Sequence, residues 1–166
     1  APVALVIHGG SWNAMDKTSI TPLAILIAEC GYAVFNINYR LLDDAPWPAC
    51  GDDCIAAANF LLQAVHPVIK QLDHSKIVVA GASAGGHLAL WTGLHLPPEN
   101  VRAIISIAGP ADLNYQSKNQ VMQAEKWKKF FGTDEVTYEM LASASPANYV
   151  KPGAPPLLCI HSTNDK

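Results

Sequence analysis

Ser83 stands between two glycines in the run Gly81-Ala82-Ser83-Ala84-Gly85-Gly86-His87. Residues 76–80 before it are a short β-branched apolar stretch, the mark of a buried strand. The residues after it open a helix of small side chains, with Leu88 and Trp91 three apart on one face. A strand that turns sharply into a helix leaves little room at the bend. Glycine removes Cβ atoms where the two elements crowd. Ser83 is then held out on the tip of the turn, beside the unpaired amides of the first helical turn. A hydroxyl in that setting suits acyl transfer: its oxygen attacks a carbonyl and the amides stabilise the oxyanion.

A glycine-rich dinucleotide loop competes for the same residues, because Gly81-x-Ser83-x-x-Gly86 departs from that fingerprint only at its central glycine. A side chain at position 83 would block close approach of a pyrophosphate. The next strand also ends in Ala108-Gly109, where an acid would be needed to hold a ribose. Strand before and helix after favour the nucleophile elbow.

A second stretch, His8-Gly9-Gly10-Ser11-Trp12, follows the apolar run 3–7. Two glycines directly after a buried strand make a tight turn or aim N–H groups at a ligand. Elbow enzymes take one oxyanion donor from this position. Ser11 and Trp12 would then border the substrate pocket. Near the other end, Asp165 follows the apolar run 157–160 at the same expected sheet edge as Ser83. There it could orient a histidine, or simply close an Asx turn. His8, beside glycines, reads as a structural hydrogen-bonder. His87, one helical turn after Ser83, points away from the attack direction and reads as a packing residue. Asp52 and Asp53 read as charges at a positive helix end. Cys50 and Cys54 are close enough for a local disulfide or a metal pair. No second Cys/His pair at finger spacing follows, so no metal is assigned.

The elements that must position these groups alternate. Strands are expected over 3–7, 32–38, 76–81, 101–107 and 157–161. Helices are expected from Thr18 or Ser19 to Cys30, from about Asp52 with a stripe of Ile55, Ala58, Leu62 and Val65, and after Ser83. Gly31 should end the first helix. Ser117 should cap a helix carrying Val121, Ala124, Trp127 and Phe131, closed by Gly132, and Thr137 a shorter one. This predicts one α/β domain over 1–166, with a mostly parallel sheet of about five strands and helices on both faces. The long stretch 110–150 after a strand's carboxyl end suggests a lid or cap. Half of the 166 residues are apolar, enough for a core, and the net charge of −3 offers no basic field for nucleic acid. No apolar run is long enough to span a membrane.

Taken in order, the motifs at 8–12, 81–89 and 161–165, with Ser145-Pro146 and Ala154-Pro155-Pro156, resemble the α/β-hydrolase superfamily. The likeness is to its esterase/lipase branch, which includes carboxylesterases and feruloyl-type esterases. The resemblance implies Ser83 as nucleophile and Asp165 as triad acid. It implies Ala84 with Gly9 or Gly10 as oxyanion hole, a small-molecule ester as substrate, and no cofactor. It also implies two strands before residue 1, and a further strand and the triad histidine after Asp165. On that basis the sequence is expected to be an internal piece of the fold, truncated at both ends. Without the histidine its own turnover should be impaired. His-Gly-Gly-x-Trp also resembles formamidase-type enzymes, so amide hydrolysis stays open, as does a non-catalytic hydrolase-like binding domain. Compartment and oligomeric state are left open.

Overall fold

The computed structural model describes residues 1–163, so the expected triad acid Asp165 lies outside the described residues. Five strands form one parallel sheet: β1 (Pro2–Ile7), β2 (Ala33–Ile37), β3 (Asp73–Ala82), β4 (Val101–Ile107) and β5 (Leu157–Ile160). Their spatial order is β2-β1-β3-β4-β5. The central strand β3 and its neighbour β1 therefore end side by side, with Ile7 paired to Gly81. That register brings the diglycine loop and the serine turn to one point of the sheet edge.

Side chains alternate along each strand between two faces. Val3, Leu5, Ile7, Ile77, Val79 and Ile104 join one cluster. It includes buried residues of α2 (Ala49–Gln63) and α3 (Ala84–His95). Ala4, Val6, Val78 and Ala80 face the other way, where Ile27 of α1 (Thr21–Glu29) covers them. Helices thus lie on both faces, as expected.

Several local expectations need correction. Asp16 caps the first helical turn by accepting from the Thr18 amide, in place of Thr18 or Ser19. Pro22 sits in the first turn of α1, and Gly31 follows its end with φ +89°. Helix α2 begins at Ala49, not Asp52. Its buried face is Cys50, Cys54, Ala58 and Leu61, whereas Val65 is exposed. Small side chains let α2 lie close against its neighbours: a Cβ on Gly51 would come within 2.9 Å of the Trp91 indole nitrogen. Cys50 and Cys54 are both free and buried, and burial pushes the Cys50 thiol up to about 12. The helix expected from Ser117 is two helices, α4 (Leu113–Lys118) and α5 (Ala124–Phe131), with a break at 119–123. Asp112, not Ser117, caps α4, accepting from the Asn114 and Tyr115 amides. Gly132 closes α5, and Thr137 caps α6 (Tyr138–Ser143), as expected.

Candidate active site

Ser83 has φ 55° and ψ −123°, outside the regions an L-residue ordinarily occupies. It is exposed, while Ala84 and Gly85 beside it are buried. The flanking glycines are required by contact. A Cβ on Gly81 would lie 2.1 Å from the Gly85 carbonyl oxygen. One on Gly85 would lie 2.1 Å from that of Ile7 and 2.5 Å from that of His8. All of these are backbone atoms with no room to retreat. The Ser83 amide donates to the Ile107 carbonyl at 2.8 Å, which pins the turn to β4. Helix α3 starts at Ala84, so the Ala84 amide has no intrahelical acceptor.

The diglycine loop lies against this turn. A Cβ on Gly9 would sit 2.8 Å from the Ala82 carbonyl oxygen and 3.2 Å from Ser83 Cβ. Gly10 has φ +108°, and a Cβ there would meet the Ala14 carbonyl at 2.1 Å. The Gly10 carbonyl accepts from the Asn13 and Ala14 amides, both at 3.0 Å. Among the described residues, neither the Gly9 nor the Gly10 amide donates to a backbone carbonyl. His8 is buried and stacked on Tyr39 at 4.3 Å between ring centroids, and the Tyr39 hydroxyl donates to its carbonyl at 3.0 Å. Burial lowers the His8 pKa. This histidine builds the loop's base, as its sequence context suggested.

Ser11, Trp12, Ser83 and Ala84 line one open cleft of about 190 Å³. Gly10, Ser11 and Trp12 also line an adjoining hollow of about 200 Å³. Five of the expected site residues therefore line two hollows that share Ser11 and Trp12, and Gly9 packs against the Ala82–Ser83 backbone beside them. Gln116, Met122 and Lys126, from the segment between β4 and β5, close the far side of the cleft, and His161 also lines it. Gln116, Met122 and Lys126 were missed in the sequence. Local pattern places Lys126 only on the polar side of a helix; its position over the cleft depends on where the whole segment crosses the sheet edge.

His87 is fully buried on the first turn of α3. Its Nδ1 accepts from Trp12 Nε1 at 3.1 Å, so its proton sits on Nε2, which donates to the Ala144 carbonyl at 2.9 Å. Desolvation lowers its pKa to about 4, partly opposed by the Ala144 hydrogen bond. It is a neutral histidine with both nitrogens occupied, in keeping with its expected packing role. Asp53 is likewise accounted for: it binds Arg40 through both carboxylate oxygens, at 2.7–3.1 Å.

The BD-FAE family profile matches residues 1–166. Among curated proteins, the chain is 29% identical over 177 residues to a non-reducing polyketide synthase, atr1, of Stereocaulon alpinum, covering 93% of the chain and 7% of that protein. It is 33% identical over 102 residues to tuliposide A-converting enzyme 2 of Tulipa gesneriana, covering 56% of the chain and 27% of the enzyme. Among solved structures, a truncated carbohydrate esterase from gut microbiota superposes with a TM-score of 0.81 at 25% identity. That match covers 96% of this chain and 66% of the other. The chain spans less than two thirds of each of these proteins. Its five-stranded parallel sheet with flanking helices is that of α/β-hydrolase-fold esterases. The chain belongs to the BD-FAE family of α/β-hydrolase-like esterases.

Proposed function

We propose that the chain carries the reaction centre of a serine ester hydrolase acting on a small carboxylic ester. The Ser83 Oγ attacks the ester carbonyl and gives its proton to a histidine base oriented by Asp165. The tetrahedral oxyanion is held by the Ala84 amide together with that of Gly9 or Gly10. Collapse breaks the bond to the alcohol, which leaves with the proton. Water, giving a proton to the histidine, then attacks the acyl-enzyme; the bond to Ser83 Oγ breaks, the carboxylic acid leaves and the histidine returns the proton to restore the hydroxyl. The observation that carries this reading is the exposed Ser83 in its unusual backbone conformation, packed directly against Gly9. The segment 110–150 acts as a cap that shapes the cleft, supplying Gln116, Met122 and Lys126. Likeness to the carbohydrate esterase and the polar groups of Ser11, Gln116 and Lys126 favour an acyl ester of a hydroxylated sugar. Trp12, in a loop that also resembles formamidases, keeps N-formyl amides as the second substrate class to test.

In the full-length protein, a fluorophosphonate probe should modify Ser83 and no other serine. Ser83→Ala should lose about 10⁶-fold in kcat, the scale seen when a serine nucleophile is removed, with folding unchanged. Turnover of Ser83→Ala at the wild-type rate would overturn the reading. A panel of acetylated sugars against N-formyl anilides separates ester from amide preference.

A further inference from the structure

The diglycine loop is held in a conformation its sequence does not favour. Gly10, Ser11 and Trp12 follow one another with φ of 108°, 51° and 59°. Glycine accepts this, but a tryptophan with positive φ is a conformational outlier. Such backbone persists only where its surroundings over-determine it. The Trp12 side chain is the obvious anchor. It is buried, meets Phe130 edge-on at 4.9 Å between centroids, and packs against Trp127 at 6.4 Å. Its one polar atom, Nε1–H, is spent on His87 Nδ1.

Position 87 needs a particular side chain to do this. It must accept from the indole on one side and donate to the Ala144 carbonyl on the other, inside a fully buried aromatic cluster. A neutral imidazole has one acceptor and one donor on opposite sides of a rigid ring. The Ala144 carbonyl fixes the proton on Nε2 and so leaves Nδ1 bare for Trp12. Ala144 itself is well anchored. The next residue, Ser145, is buried, accepts from the Leu113 amide at 2.8 Å and donates to the Leu141 carbonyl at 2.7 Å.

We propose that His87 is a positioning residue for oxyanion stabilisation: by holding the Trp12 indole it fixes the strained 10–12 turn, and with it the Gly9 and Gly10 amides, relative to Ser83. His87 and Ser83 lie four residues apart across the start of one helix. The tether thus sets the distance between the two halves of the site directly. The proposal rests on the ester-hydrolase reading given above.

The test uses the full-length protein, with 4-nitrophenyl acetate as substrate. Trp12→Phe keeps the ring packing and removes only the donor; His87→Leu removes the acceptor. Each should lower kcat by about 10- to 100-fold, the scale expected of a small misplacement, with KM changed less than about 3-fold. The double variant should be no slower than the slower single variant, because both cut the same link. His87→Asn, whose amide oxygen can accept from the indole, should recover to within about 3-fold of wild type. Independently of turnover, the Trp12 indole proton should be protected from hydrogen exchange in wild type and His87→Asn, and unprotected in His87→Leu. Variants that lose stability while keeping kcat, additive losses in the double variant, or no recovery with asparagine would each overturn the proposal. So would indole protection that survives in His87→Leu. A wild-type protein inert towards esters, with protection lost in His87→Leu, would sink the hydrolase reading and leave the tether standing.

Discussion

The two faces of the sheet are built from alternate residues of the same strands, yet they differ in closure. On the α2/α3 face, Leu5, Ile7, Ile77, Val79 and Ile104 are fully buried beneath two helices. On the other, α1 covers Ala4, Val6, Val78 and Ala80, and the rest is an open apolar groove of about 360 Å³. Leu26, Ile105, Leu158 and Ile160 are among its lining, with Leu158 52% and Ile160 48% exposed. Among the described residues, the start of the serine helix belongs to the closed face, where Ala84 joins the core cluster. Ser83 starts α3, and both Trp12 and His87 are part of its packing. A strained serine turn and a strained tryptophan turn need dense surroundings, because backbone held in rare conformations relaxes wherever its neighbours give way. The open face carries no comparable demand.

One glycine on each side puts this contrast to its strongest test. A methyl on Gly85 would be driven to 2.1 Å and 2.5 Å from two backbone carbonyl oxygens. Gly85→Ala should cost more than about 4 kcal/mol of unfolding free energy, or leave no folded protein at all. Gly31, at the end of α1, also has positive φ (+89°), but a methyl there would meet nothing within 4 Å. Gly31→Ala should cost only the left-handed backbone term, about 1–2 kcal/mol. Denaturant titration of both variants measures the difference. Equal costs would mean that the crowding at the Ser83 turn is not what fixes it.

The tight turn at Ser83 was legible in the sequence because its constraint is local. Two glycines flanking a serine, after a buried strand and before a helix, admit few backbone solutions, and contacts at Gly81 and Gly85 bear this out. The alternation of strands and helices, and Gly31, Gly132 and Thr137 at helix ends, were legible for the same reason, whereas the spatial order of the strands was not. Where tertiary packing decides, the pattern misled. Of the expected stripe Ile55, Ala58, Leu62 and Val65, only Ala58 is fully buried; the face α2 buries is Cys50, Cys54, Ala58 and Leu61, mostly small side chains that fit its packing against α3. Ser117 looked like a cap, but it lies inside α4, which Asp112 caps; the chain turns at 119–123, with Gln120 at φ 53°, and α5 follows Gln123 without a side-chain cap. The partners of His87 lie 75 and 57 residues away in sequence, at Trp12 and Ala144, and no local spacing encodes them.

The closed face should also announce itself in pH dependence. His87 faces the rings of Trp12, Trp47 and Phe130 and the Ala144 carbonyl, with no charged group among them. Its pKa falls from 6.5 to about 4 on folding. Between those values the unfolded chain binds a proton that the folded chain refuses, so stability is lost as pH falls from 6.5 towards 4. Integrated over that window the loss is about 3 kcal/mol. Burial lowers the His8 pKa too and adds a slope of the same sign, so wild type must be compared with His87→Asn rather than read alone. The variant should show the shallower decline over this window. Identical pH profiles would mean that water reaches the imidazole and the closed face is more open than its packing suggests.

The smallest effect is the most exposed one. Burying a leucine in a core and then truncating it to alanine costs about 2–5 kcal/mol, through lost transfer energy and the cavity left behind. Leu26 borders the apolar groove on α1 but is 57% exposed. Truncation there removes little buried surface and leaves no enclosed void, and alanine is the stronger helix former. Leu26→Ala should therefore shift unfolding free energy by less than about 0.5 kcal/mol, the range of ordinary surface substitutions. The Leu26 side chain reports on the groove because it has no other large packing duty. A cost near 2 kcal/mol would show that something covers this face in solution. Repeating the titration over a range of protein concentrations then identifies the cover: a cost that grows with concentration points to a second copy, and a constant one to packing within the chain.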